Sequence, residues 1–295
     1  MSMDWNTITP SGPFDLASTM ECGQAFRWKQ VSSSEVGDHF EGVIFGNLVR
    51  ARQLDSVVHF TSEPDPPATF RPILEDYLGL GHDLDSIYVE LGKDPVLARL
   101  IDKYPGLRIL RQDPWECLVS FICSANNNIA RISQNVESIS RTYGSRIAVD
   151  GEGRWAFPSP SAVAGAGEQA LRDLRLGYKA EYIDKTANIV SDGRIDLFSL
   201  RETAYQDALE AVTSLPGVAD KIGNCVLLFS LDKLESFPVD VHIERAVERE
   251  YAPRFDGKPM TKKRIREWAQ DRFGPHAGYA NQYLFFDDLL EGRQG

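Results

Sequence analysis

Lys221 and Asp240 are the two residues whose types and spacing could do covalent chemistry. They stand 240 − 221 = 19 residues apart in LPGVADKIGNCVLLFSLDKLESFPVDVHIERAVEREY, residues 215–251. The glycine of LPGV, Gly217, predicts a tight turn at the start of a helix. Such a turn exposes backbone N–H groups that suit a phosphate. An amine and a carboxylate beside a bound phosphate fit chemistry on the sugar of a nucleotide. The spacing allows one helix, a turn and a return to the same pocket.

The helix expected over 219–231 carries Ile222, Val226 and Phe229 at apolar spacing. Lys221 and Cys225, four apart, share a different face, which would look toward a pocket. Against a partly dry, apolar wall the charged form of a lysine is disfavoured, and the free amine becomes available as a nucleophile. A helix lysine taken alone is more often a solvated charge; the turn before Lys221 and the PVDVH after it argue otherwise. Asp240 precedes a second helical pattern and is a favoured N-cap. A capped carboxylate is rigid, which suits stabilising positive charge on a sugar that is losing its base. His242, in the first turn of that helix, is either a phosphate donor or an ordinary surface residue.

Other elements must hold this pair in place. Strand-like runs occur at 25–28, 39–45, 48–52 and 57–61, with Gly, Ser and Asp breaks between them. EPDPP, residues 63–67, reads as a turn or linker. From about Asp83 the patterns are mainly helical, and Asp113-Pro114 opens a helix through Cys117, Val119, Phe121 and Ile122. The expected class is α+β. A twisted antiparallel β domain over residues 1–84 is followed by a mainly helical region over 85–295, which holds a helix–hairpin–helix at about 207–231.

The chain has 295 residues, 42% of them hydrophobic, enough for a sizeable core, and no apolar run long enough to span a membrane. Its N-terminus, MSMDWNTITPSG, reads as neither a signal peptide nor a basic transit peptide. Cys22, Cys117, Cys123 and Cys225 form no CxxC and fit no zinc site, so they read as reduced thiols in an intracellular protein. A net charge of −11 argues against a nucleic-acid partner. Net charge is global and binding is local, however, so a modest basic face on an acidic body would reconcile the two. KPMTKKRIR, residues 258–266, is either that face or a solvated helix surface.

The segment 215–251 resembles the helix-hairpin-helix/Gly-Pro-Asp superfamily of DNA glycosylases, and within it the 8-oxoguanine DNA glycosylase family. Four further segments carry the same resemblance: CGQAFRW at 22–28, FICSANNNIARI at 121–132, LGYKAEY at 176–182 and AGYANQYLFFDDLL at 277–290. It implies that the Gly23 carbonyl contacts the oxidised guanine, and that Cys225 and Phe285 cover its two faces. Asn281 would bind the base's pairing edge; Gln282 is adjacent, but Asn281 lies four residues before Phe285 and so beside it on a helix. Asn126 would fill the gap left by the flipped base. Arg131 would read the opposite cytosine, and Tyr178 would wedge into the duplex. Lys179 stands where the animal enzymes have a second cytosine-reading arginine. A lysine is a point donor rather than a planar fork, so weaker discrimination is expected.

The implied activity is excision of 8-oxoguanine opposite cytosine. Lys221 forms a Schiff base and the abasic site is nicked by β-elimination. The partner is double-stranded DNA carrying oxidised guanine, and the protein is a monomer with no membrane association. No cofactor is required. No cysteine follows Cys225, which leaves no iron–sulfur cluster of the kind other superfamily members carry, and a monovalent cation could sit at the hairpin backbone. The location would be cytoplasm and nucleoid, or the nucleus. The competing readings are a monofunctional glycosylase that uses Asp240 and water, a non-catalytic hairpin DNA-binding module, and a helical scaffold.

Overall fold

The computed structural model describes residues 5–33, 37–149, 152–255 and 257–294; the first four residues of the N-terminal stretch read above lie outside them. Five antiparallel strands form the first sheet: β1 (Asn6–Ile8), β2 (Lys29–Ser33), β3 (Gly37–Ile44), β4 (Asn47–Leu54) and β5 (Val57–Glu63), in the order β1-β5-β4-β3-β2. The β3–β4 connection is the two residues Phe45 and Gly46, both at positive φ (46° and 76°). That is the backbone hand that matches strand twist in a tight hairpin. Helix α1 (Leu16–Glu21) and helix α2 (Pro67–Tyr77) cover the sheet, burying Phe40, Val49, Phe60, Phe70 and Leu74 in one core.

The remaining helices are α3 (Leu84–Leu91), α4 (Pro95–Lys103), α5 (Pro114–Ser124), α6 (Ile129–Tyr143), α7 (Pro160–Asp173), α8 (Lys179–Ser191), α9 (Tyr205–Thr213), α10 (Asp220–Ser230), α11 (Val241–Tyr251), α12 (Lys262–Phe273) and α13 (Ala277–Gln294). Helix α5 is the central post. Asp113 caps it by accepting from Trp115 and Glu116 N–H, Pro114 starts it, and residues 117–123 are all buried. A helix apolar on every side belongs inside a core. Helices α10 and α13 pack around the same core through Val226, Phe229, Tyr279 and Tyr283. Among the described residues, no helix is long and apolar enough to cross a membrane.

Three elements differ from the sequence expectation. Residues 25–28 are not a strand; pairing begins at Lys29. Their alternation serves two cores rather than two faces of one sheet. Phe26 turns into the helical core, edge-on to Phe121 at 5.4 Å, while the Trp28 indole packs beside the sheet and donates to the Tyr77 hydroxyl at 2.8 Å. The edge strand β1, three residues long, was too short to show a pattern. A small hairpin, β6 (Arg146–Val149) with β7 (Glu152–Trp155), interrupts the helical region, and its Ile147 packs against Val43 and Leu48 of the sheet.

Candidate active site

The hairpin α9–α10 turns at Gly217, whose φ is +78°. A side chain there would meet the Tyr182 ring at 2.6 Å, so both the backbone conformation and the close approach require glycine. Ala219, the N-cap of α10, offers no side-chain cap, which leaves the first amides of that helix for another acceptor. Two residues on stands Lys221. Its ammonium lies over the Phe121 ring of α5, 5.3 Å from the centroid, a cation–π contact that fixes where the amine sits.

Asp240 reaches the same place from the other side. It caps α11, accepting from His242 N–H at 3.0 Å and Ile243 N–H at 3.1 Å. Two backbone donors hold the carboxylate without any flexible partner. Cys225, one turn along α10 from Lys221, feels both groups. Burial pushes its thiol up to about 11, with the Lys221 charge opposing and the Asp240 charge adding. At neutral pH it is therefore an uncharged, polarisable surface.

Lys221, Asp240 and Cys225 line one cleft of about 860 Å³, together with Gly23, Asn126, His242, Asn281 and Phe285. That is the size of a site for a small organic ligand or one nucleoside. Gly23 has φ +77°, and a side chain on it would lie 3.0 Å from Phe285 Cε1. The ring and the glycine backbone thus form adjacent walls. Asn281 and Gln282, both buried, donate to the carbonyls of Pro238 (2.9 Å) and Cys22 (2.8 Å), so helix α13 is tied to both sides of the opening. Each amide keeps its oxygen as a remaining acceptor.

His242 is braced rather than freely solvated. Its Nδ1 sits 2.9 Å from Asp288 Oδ2 and 3.0 Å from Arg245 Nη2, and its ring meets Phe285 edge-on at 5.1 Å. Burial opposes ionisation of Asp288, but the bonds and charges of Arg245 and His242 outweigh it and hold that carboxyl below its usual range. This bracing by Asp288 and Arg245 was missed from sequence. The one available signal was an acidic doublet, Asp287-Asp288, a turn after Phe285.

Arg131, Tyr178, Lys179 and Gly217 do not line the cleft. Asn126, at positive φ, bridges to the first group, donating to the Tyr178 hydroxyl at 3.2 Å. Tyr178 is 47% exposed. Lys179 departs from expectation. It is only 6% exposed, its ammonium lies 5.2 Å from the Tyr178 ring centroid, and its charge acts on the buried Cys123 thiol. As the first residue of α8 it points into the packing between helices instead of outward. The basic stretch 258–266 is mostly neutralised: Arg266 pairs with Asp220, Lys263 with Glu267, and Lys262 with Glu244 at 3.4 Å. Of these, only Lys262 lines the cleft. Among the described residues, no group of three or more His, Cys, Asp or Glu is placed to hold a metal ion.

Comparison with known proteins shows what the chain is similar to. Residues 7–118 match the family model for the N-terminal domain of 8-oxoguanine DNA glycosylase, and residues 119–271 match that of the HhH-GPD superfamily of base excision DNA repair proteins. The chain is 34% identical to N-glycosylase/DNA lyase OGG1 of Arabidopsis thaliana over 286 residues, 93% of this chain and 77% of that protein. It is 31% identical to a probable N-glycosylase/DNA lyase of Methanothermobacter thermautotrophicus over 302 residues, 94% of each. The 8-oxoguanine glycosylase/lyase of Clostridium acetobutylicum, solved with double-stranded DNA containing cytosine opposite 8-oxoG, superposes with a TM-score of 0.87 at 28% identity, over 99% of this chain and 100% of that one. The cleft, the hairpin that borders it and these matches lead to one assignment: the chain belongs to the 8-oxoguanine DNA glycosylase family, within the HhH-GPD superfamily of base excision DNA repair proteins.

Proposed function

We propose that this DNA repair enzyme excises 8-oxoguanine paired with cytosine in double-stranded DNA, and then nicks the abasic site through a Schiff base on Lys221. The observation that carries this reading is the convergence of Lys221, Asp240 and Cys225 on one base-sized cleft beside an uncapped helix start. The uncapped amides of α10 donate to a backbone phosphate without reading sequence. The base swings out of the stack into the cleft, between Phe285 and Cys225, with the Gly23 backbone and Asn281 at its edges. The Lys221 amine attacks C1′ as the C1′–N9 bond breaks, and the bonding pair leaves with the base, which takes up a proton. Asp240, fixed by its cap, stabilises the positive sugar. Opening of the C1′–O4′ bond gives the imine. Loss of a C2′ proton then expels the 3′ phosphate, leaving a nick.

Arg131 reads the estranged cytosine, Asn126 fills the vacated space and Tyr178 wedges into the stack. His242, held by Asp288, presents its Nε2 edge toward a phosphate. A monovalent cation at the hairpin would share the carbonyls of Leu215 and Pro216. These already accept from Val218 N–H and the Thr186 hydroxyl, yet each keeps a second lone pair, so the turn fits such an ion; bound there it would add positive charge beside the phosphate. The enzyme acts as a monomer wherever the genome lies.

The test is incubation with an 8-oxoguanine-containing duplex, with and without borohydride. A reduced covalent adduct at Lys221 is expected. Base release without any adduct would favour a monofunctional reaction, in which Asp240 activates water, and would end the Schiff-base reading.

A further inference from the structure

We infer that Arg175 is the second guanidinium that reads the base opposite the flipped lesion, a place Lys179 does not fill. Helix α7 ends at Asp173 with Leu174 as its C-cap, and Arg175 follows in the left-handed region at φ +61°. That position closes a helix end, and glycine is the residue that occupies it without strain. A non-glycine residue held there costs free energy, and such outliers persist where the side chain is useful. Arg175 is exposed, and its guanidinium has no hydrogen bond or ion pair among the described residues.

Its backbone does have a partner. The Arg175 carbonyl accepts from Arg131 Nη2 at 3.1 Å, which aims the Arg131 fork; that fork also donates to Gln134 Oε1 at 3.4 Å. Among the described residues, no carboxylate pairs with either arginine. In a chain of net charge −11, the Arg131 guanidinium resting on the backbone of an exposed arginine makes a local positive site. Three residues on, Tyr178 meets Asn126, so both arginines border the point where the duplex would be opened. Guanidinium groups only donate. Of the four bases, cytosine offers two adjacent acceptors, O2 and N3, on the edge left bare when its partner is flipped out. Donor forks from these two neighbouring residues would therefore favour cytosine over a purine or thymine.

This rests on the reading that Arg131 faces the estranged base, so the experiment separates the two. Excision is measured opposite each of the four bases for the wild type, Arg175→Gly and Arg131→Ala, with thermal melting alongside. Arg175→Gly removes the side chain, keeps the carbonyl that holds Arg131 and relieves the backbone. Its melting temperature should be unchanged or higher. Its preference for cytosine should shrink by at least about fivefold, chiefly through slower excision opposite cytosine. An equal loss opposite all four bases would mean a phosphate contact and would overturn the inference. No change in Arg175→Gly, with the preference lost in Arg131→Ala, would overturn it while leaving the Arg131 reading intact. If neither variant alters the preference, both fall.

Discussion

The cleft around Lys221 and Asp240 and the edge formed by Asn126, Arg131, Arg175 and Tyr178 grow from the same helical core, yet they are held in different ways. In the cleft, Asp240 is clamped by two amides, Cys225 is sealed, and Asn281 and Gln282 are tied to the carbonyls of Pro238 and Cys22. At the edge, Asn126 and Arg175 sit at positive φ, Tyr178 is half exposed, and the contacts are single bonds of 3.1 to 3.4 Å. Charge developing on a sugar is stabilised best by dipoles that do not have to move. A duplex being opened needs groups that can exchange weak protein contacts for contacts to DNA. The cleft is therefore firmly held where the proposed chemistry would occur, and the edge is loosely tied where the strands would separate.

Four variants would break or sharpen that contrast. The largest effect is expected from Lys221→Gln, which removes the proposed nucleophile and leaves the edge untouched. Base release and borohydride trapping should vanish, while affinity for lesion DNA, measured by titration, stays within a few-fold of wild type. Residual full activity would exclude Lys221.

Asp240→Asn comes next. The amide keeps most of the cap and loses the charge, so excision should slow by roughly 10²–10³-fold with little change in melting temperature. If melting falls along with activity, the carboxylate is chiefly structural and the cleft's rigidity rests on it.

Gly23→Ala probes the wall directly. The new methyl would stand 3.0 Å from Phe285 Cε1 on a backbone at φ +77°. Stability should drop by about 1–2 kcal/mol, and displacement of the ring should slow excision by up to ~10²-fold. Wild-type excision in a destabilised protein would show that the wall yields, contrary to the contrast drawn above.

The smallest effect is a control behind both regions. Glu116 is packed beside Arg27 (3.7 Å), and burial, helped by Asp113 and Glu137 and opposed by Arg27, raises its carboxyl from 4.5 to about 7. The folded state thus holds this proton more tightly than the unfolded chain. Its contribution is fully present below the unfolded value of 4.5 and is lost as pH rises through about 7. Glu116→Gln should flatten the fall in melting temperature between about pH 5 and about pH 8, without altering opposite-base preference. An unchanged pH slope would mean that Glu116 is ionised throughout.

The sequence by itself determined what depends on near neighbours. The three central strands follow from alternation over 39–61, and the helix from Asp113-Pro114 follows from an N-cap and a proline at its first position. The turn at Gly217 and the cap at Asp240 follow from single residue types whose backbone needs are local. Tertiary structure alone decided the rest, because it turns on partners far along the chain. Residues 25–28 fail as a strand because two separate cores claim Phe26 and Trp28. Lys179 is hidden by how α8 meets Tyr178 and Cys123, which no spacing around it reveals. Asp288 reaches His242 across 46 residues, and Gln282 reaches the Cys22 carbonyl across 260. A side chain's type states which bonds it can make. Only the packed core states which partner is near enough, and dry enough, to make them with.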